Sequence, residues 1–148
     1  MLSKSLVIFT AVGLVSALAL GIYLIDVKST SQLIFVEGNS VSIVTEKFDF
    51  KQGDEITLRV VNSGTAPLVF SDASYGLKIT GLSGTLMYSP ISAQVISELA
   101  PGDEIVFSWD QIKNDGNPVL EGLYKISVNG ADKEGNAVER STTVTIWK

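Results

Sequence analysis

Oxygen-bearing side chains are concentrated in one polar stretch of the sequence, residues 110–118. This stretch contains Asp110, Asn114, Asp115 and Asn117, and Ca²⁺ takes carboxylate and amide oxygens as ligands. Their spacing differs from that of an EF-hand, and no Glu closes the set. We favour the alternative, an ordinary hairpin loop in which Asn and Asp form the turns, and keep a calcium site as the second hypothesis.

The residue types that most often carry out catalysis are absent or have no partner in the sequence. The chain contains no His and no Cys, which removes the commonest general base and nearly all zinc and copper sites. Acidic pairs such as Asp103 and Glu104 imitate a glycosidase dyad, but sixteen acidic residues make chance pairs frequent. We therefore expect a non-enzymatic protein with no catalytic residues, no cofactor and no small-molecule substrate.

Three aromatic residues are candidates for an interaction surface. Tyr75 and Tyr88 flank an irregular middle segment rich in Gly and Ser, where they either lie on an exposed binding surface or cap one end of the fold. Trp147 is out of phase with the apolar residues before it and is expected to point outward. Trp109, in contrast, is in phase with its apolar neighbours, which predicts a core position.

Alternating apolar and polar residues predict an all-β domain. The period of two is clearest in three segments: 56–61, 105–109 and 124–128. Further strands are expected at 41–50, with a bulge or break inside it, at 91–99 and at 137–147. Turn signals recur about every ten residues, so the pattern predicts an antiparallel β-sandwich of about seven to nine strands.

Four short motifs resemble those of a known module. They are LAPGDE at 99–104, FSWD at 107–110, DGNPV at 115–119 and GLY at 122–124. In these residues the chain resembles the BsuPI-type proteinase-inhibitor domain and the Ig-like domain of flagellar hook-capping proteins. The resemblance extends over roughly residues 46–147 and implies an Ig-like sandwich. It also implies protease inhibition as an alternative function.

An uncharged apolar stretch near the amino terminus predicts a transmembrane anchor. It begins at Leu6 and ends at Ile25, and twenty helical residues span about 30 Å, the thickness of a bilayer's hydrocarbon core. The alternative is a signal peptide cleaved after Ala19, but six more apolar residues follow that site. Lys4 on the short flank favours a cytoplasmic amino terminus and an extracytoplasmic carboxyl-terminal domain.

The location and the charge of the chain limit its partners. The expected division is a cytoplasmic end, an anchor, a tether and one sandwich domain, at residues 1–5, 6–25, 26–32 and 33–148. Residues 26–148 carry ten basic and sixteen acidic side chains, which argues against binding nucleic acid. The absence of Cys and of glycosylation sequons favours a prokaryotic cell envelope.

The sequence therefore predicts a single-pass protein of the cell membrane with a non-enzymatic interaction or scaffolding domain. Its expected partners are the membrane itself and another envelope or surface-layer protein. Two alternatives remain. One is a protease inhibitor of the BsuPI type. The other is a secreted filament subunit in which the apolar run from Leu33 to Val36 completes the sheet of a neighbouring copy.

Overall fold

The computed structural model describes residues 33–148. The expected cytoplasmic end, the anchor at 6–25 with its cleavage site after Ala19, and the tether at 26–32 lie outside the described residues. Within the described part, no helix is long and apolar enough to cross a bilayer.

Ten β-strands form two sheets in the described part of the chain. They are β1 (Val41–Thr45), β2 (Asp49–Lys51), β3 (Ile56–Asn62), β4 (Leu68–Phe70), β5 (Lys78–Gly81), β6 (Leu86–Tyr88), β7 (Ser97–Leu99), β8 (Glu104–Trp109), β9 (Gly122–Ala131) and β10 (Ala137–Trp147). The small sheet has the order β1-β3-β8, and the large sheet has the order β2-β10-β9-β4-β7, with β5 beside β9 and β6 beside β5. The all-β prediction is confirmed, with ten strands instead of seven to nine.

The small sheet is antiparallel, and its register brings one apolar face inward. Ile43 pairs with Val60, which pairs with Ile105. Ile56 pairs with Trp109, and both side chains are buried. The alternation expected in β3 and β8 therefore selects the face that packs on the large sheet.

The large sheet is built around the long hairpin of β9 and β10. Val144 pairs with Tyr124, and these inward side chains are buried together with Ile126, Val128 and Ile146. Gly130 makes room at one end of the hairpin, because a Cβ there would lie 2.6 Å from Cε1 of Phe70. β9 continues three residues past the alternating segment 124–128, to Ala131, and β10 begins at Ala137 as expected.

The break expected in the 41–50 segment is confirmed, and it has a consequence for the topology. β1 belongs to the small sheet, whereas β2 pairs with β10 of the large sheet. β2 runs parallel to β10, with Phe50 paired to Ile146. The prediction of a wholly antiparallel sandwich is therefore wrong at this one pair of strands.

The strand expected at 91–99 is also shorter than predicted. Only β7 forms, because its partner β4 offers three residues and the ladder ends where Phe70 pairs with Ser97. After Phe70 the chain turns, and Gly76 lies against the backbone of Asn129 with φ +64°. Ile91 and Ile96 are consequently exposed.

Candidate interaction groove beside the β8 edge

β8 lies at the edge of the small sheet and exposes one apolar side chain between two polar ones, Glu104 and Ser108. Among the described strands, β3 is the one that pairs with it. Val106, in the middle of β8, is 54% exposed, and its neighbours Ile105 and Phe107 are half-buried. An edge strand presents unpaired N–H and C=O groups, and proteins usually protect such an edge with charges. In β8 the one charged residue, Glu104, is at the beginning of the strand, and its Oε2 lies 3.5 Å from Nη1 of Arg59 in β3.

Two adjoining depressions lie beside this edge and together form what we term the edge groove. The first has a volume of about 370 Å³ and is lined by Glu55, Tyr88, Ser108, Asp110, Ile112 and Lys113. The second, of about 560 Å³, shares Tyr88 and Lys113 and adds Ser89, Ile91 and Asn114. The edge groove thus connects β8 of the small sheet with β6 of the large sheet.

The aromatic part of the groove is held by the core. The ring of Tyr88 stacks on the indole of Trp109, with centroids 6.2 Å apart and an angle of 26° between the planes. Trp109 is itself buried, and its Nε1 donates a hydrogen bond to the carbonyl of Ile112 at 3.0 Å. The same indole therefore fixes both Tyr88 and the beginning of the neighbouring loop.

The loop at 110–118 is stabilised by its own polar side chains. Asp110 Oδ1 accepts the N–H of Ile112 at 3.1 Å, and Asp115 Oδ1 accepts the N–H of Asn117 at 2.9 Å. This backbone hydrogen bond from Asn117 is the largest cause of the lowered pKa of Asp115. Both carboxylates form the local turns that Asp favours.

Asn114 ties the same loop to β6. Its Oδ1 accepts the N–H of Ser89 at 3.1 Å, and its backbone N–H donates to the carbonyl of Met87 at 2.9 Å. The hydrogen bonds of Asp110 and Asp115 form turns within the loop, and those of Asn114 attach the loop to β6. Within residues 33–148 no group of three or more His, Cys, Asp or Glu residues is placed to hold a metal ion. The calcium hypothesis for Asp110, Asn114, Asp115 and Asn117 stays a prediction.

The three candidate aromatic residues are not brought together. Tyr88 lines the edge groove. Tyr75 is half-buried against the core, with its ring 5.0 Å from Phe70 and 6.2 Å from Phe107, the position that the capping alternative describes. Trp147, at the end of β10, is 50% exposed, as its phase predicts, and Nζ of Lys51 in the neighbouring strand β2 lies 6.0 Å from the centroid of its ring.

The edge of β8 was not predicted as a candidate site. The inward residues of β8 predicted the strand, and Val106 is an apolar residue at one of its outward positions. Val106 could have indicated an interaction surface from the sequence alone, since outward positions of a half-buried strand are normally polar. Glu55 and Ser108, whose side chains are hydrogen-bonded to each other in the groove, gave no such signal.

A cluster of polar side chains around Asp132 binds the segment that precedes β1. Asp132 Oδ2 accepts the side-chain amides of Asn39 and Asn136, both at 2.8 Å. Its Oδ1 accepts the N–H groups of Glu134 and Asn136 at 3.0 and 2.8 Å. These bonds, the Asn136 side chain first, lower the pKa of Asp132. The arrangement ties the segment before β1 to the turn between β9 and β10.

Comparisons with known proteins show a likeness to solved structures and to no family model or curated protein. No family model matches the chain, and no curated protein matches it. Among solved structures, the chain is similar to the sporulation control protein Spo0M from Bacillus subtilis, with 15% sequence identity and a TM-score of 0.42. The match covers 76% of this chain, which spans about half, 51%, of the Spo0M chain.

Proposed function

We propose that this chain is a membrane-anchored, non-enzymatic protein-interaction module of a prokaryotic cell envelope, and that it binds an extended segment of a partner protein at the edge of β8. One observation carries the proposal. The middle of β8 exposes Val106 beside a groove that contains a core-anchored aromatic ring, Tyr88. An open edge with an adjacent side-chain groove is the arrangement used in β-strand addition.

Strand addition would extend the small sheet by one strand. The backbone of the incoming segment pairs with the unpaired groups of β8, which supplies affinity without regard to sequence. Successive side chains of that segment then point to opposite sides. One set lies in the edge groove against Tyr88 and Ile112, which suits apolar residues, and the other set covers Val106.

A hydrogen bond in the large sheet supports the Ig-like form of the sandwich. Tyr124, the third residue of β9, donates its hydroxyl to the carbonyl of Leu120 at 2.7 Å. A tyrosine near the start of a strand that bonds back to the preceding backbone is the tyrosine corner of Ig-like sandwiches. The expected location, with the anchor at 6–25 and the domain outside the cytoplasm, rests on the sequence.

The expected partner is another envelope or surface-layer protein. The excess of acidic residues disfavours nucleic acid as a partner. Protease inhibition of the BsuPI type remains an alternative that rests on the sequence motifs, and assays of the full chain against a panel of proteases would test it.

Site-specific photocrosslinking in native membranes tests the proposal. A photoreactive residue at Val106 of the full chain is expected to form an adduct with a partner protein. The matched control is Leu123, which is 45% exposed on the opposite sheet. An adduct at 106 that is absent at 123, and that Tyr88→Ala reduces, supports the proposal. Equal yields at the two positions, or no adduct at 106, would contradict it.

A further inference from the structure

The chain also contains an apolar segment suited to such an edge. Residues 33–36, which we term the apolar arm, have the sequence LIFV and precede β1. Their side chains are largely uncovered, with Ile34 65% and Phe35 60% exposed. Val, Ile and Phe favour strands, yet the arm belongs to none of the strands described. Its one backbone hydrogen bond in the described part of the chain is from Val36 N–H to the carbonyl of Ser63, at 2.9 Å.

The segment that follows the arm, residues 38–40, is closely packed on the domain. A Cβ on Gly64 would lie 2.2 Å from the carbonyl oxygen of Gly38, so these two backbones are in close contact. The side chain of Asn39 is held by Asp132, and the hydroxyl groups of Ser40 and Ser63 are 2.9 Å apart. The chain from Gly38 onward is therefore held against the domain, whereas the side chains of Ile34, Phe35 and Val36 before it are exposed.

We infer that the apolar arm of one copy pairs with the β8 edge of a second copy, so that the protein self-associates in the membrane. This inference rests on the proposed function of the edge and names its occupant. Four strand residues span about 13 Å, which fits within the six residues of β8. The arm is uncharged, so it brings no charge of its own to the surface around Val106, where the cross-strand neighbour Arg59 is already paired with Glu104.

Pairing would cover the apolar arm of one copy and the exposed Val106 of the other at the same time. Alternate residues of an added strand point to opposite sides, so Leu33 and Phe35 occupy one side while Ile34 and Val36 occupy the other. Leu33 and Phe35 cover Val106, and Ile34 and Val36 enter the edge groove at Tyr88. Removing these side chains from water provides the driving force, at roughly 25 cal/mol for each Å² of apolar surface buried.

Disulfide trapping tests the inference, because the chain has no Cys of its own. Two differently tagged full-length copies, Phe35→Cys and Val106→Cys, are co-expressed in the membrane and oxidised. The control pair replaces Val106→Cys by Leu123→Cys. We expect about tenfold more mixed dimer from the first pair, which corresponds to a preference of about 1.4 kcal/mol. Ile34→Lys in the arm should reduce the yield of mixed dimer, whereas Leu82→Lys, at an exposed position outside the arm and the edge, should leave it unchanged.

Two results would overturn the inference. One is an equal yield of mixed dimer from the two pairs. The other is a disulfide confined to single chains when Phe35→Cys and Val106→Cys are combined in one copy, because the arm then pairs with its own edge. If photocrosslinking at Val106 still captures a different protein in either case, the edge remains a binding site and the inference fails alone. If the photocrosslink fails too, both proposals fall.

Discussion

The ring of Tyr88 stacks on the buried indole of Trp109, so the wall of the edge groove is part of the hydrophobic core. Tyr88 belongs to the large sheet and Trp109 to the small sheet, and the contact therefore also joins the two layers. The shape of the groove consequently depends on core packing as well as on the polar loop at 110–118, which contributes Asp110, Ile112 and Lys113 to its lining. A binding surface held in this way is preorganised, which lowers the entropic cost of capturing an extended segment.

Truncating Tyr88 should therefore affect both binding and stability. We expect Tyr88→Ala to lower the free energy of unfolding by about 1–3 kcal/mol, because it removes a half-buried ring and its aromatic contact. Tyr88→Phe keeps the ring and should change the free energy of unfolding by less than about 0.5 kcal/mol. Urea unfolding followed by tryptophan fluorescence measures both. Equal destabilisation by the two variants would contradict the stacking role.

The hydrogen bond that we interpret as a tyrosine corner can be tested by removing a single oxygen. Tyr124→Phe deletes the hydroxyl that donates to Leu120 at 2.7 Å and keeps the ring beside Trp109. We expect a loss of about 1 kcal/mol in the free energy of unfolding, the usual effect of one such bond. Tyr88→Phe is the matched control, since the Tyr88 hydroxyl makes no hydrogen bond to the residues described. A loss no larger than that of the control would show that the corner is not stabilising.

Gly130 should tolerate a side chain only if Phe70 becomes smaller. An added Cβ would lie 2.6 Å from Cε1 of Phe70, so Gly130→Ala is expected to cost about 1–3 kcal/mol through overpacking. Phe70→Leu opens space at the same point and destabilises the core on its own. The double variant should be more stable than the sum of the two single effects predicts. Strict additivity in a double-mutant cycle would contradict the proposed steric coupling.

Local patterns were sufficient to predict the strands that pack on both sides of the core. Ile56, Leu58 and Val60 alternate with half-buried residues as expected, and Trp109 is buried in phase. The position of Trp147 follows from the same period-two reasoning. These predictions succeeded because the side-chain alternation of a strand is a local property.

The predictions that failed depend on contacts distant in sequence. The length of β7 is set by β4, whose three residues end the ladder at Phe70. The parallel pairing of β2 depends on where β10 lies after the chain changes sheets. The edge groove could not be foreseen either, because it requires knowing that Tyr88, Ser108 and Lys113 meet although they come from two sheets and a loop.

Asp132 should make stability depend on pH. Hydrogen bonds to the carboxylate lower its pKa in the folded state below the ordinary value of 3.8. A lowered pKa stabilises the fold above the unfolded-state pKa, and this contribution is lost as the pH falls through the folded-state pKa. Asp132→Asn also turns an amide donor toward the donors of Asn39 and Asn136 and should destabilise the protein at neutral pH.

The difference between the wild type and Asp132→Asn is therefore expected to shrink in acid. Urea midpoints measured near neutral pH and at about pH 3 provide the test. Asp72 and Asp115, whose pKa values are also lowered, are present in both proteins, so their contributions cancel in the difference. A gap between the two proteins that stays constant over this range would contradict the role of the Asp132 charge.

The proposed anchor at residues 6–25 would determine which copies can meet, and membrane extraction and the mass of the mature protein test it. We expect the full chain to resist alkaline carbonate extraction and to keep all 148 residues. Val15→Arg places a charge near the middle of the apolar stretch, where it costs about 2.5–3.5 kcal/mol on insertion scales, and should increase extraction. Ser31→Arg, outside the stretch, should leave it unchanged.

A mature protein that lacks residues 1–19 would contradict the anchor and favour the secreted-subunit alternative. The β8 edge and the apolar arm both lie within residues 33–148, so pairing between copies could still occur after such a cleavage. Retention of residues 6–25 would instead confine that pairing to neighbours in one membrane, where the high effective concentration favours weak contacts. Carrying out the Phe35–Val106 trapping on both the retained and a cleaved form would separate these cases, since the membrane-bound form should trap at a lower protein concentration.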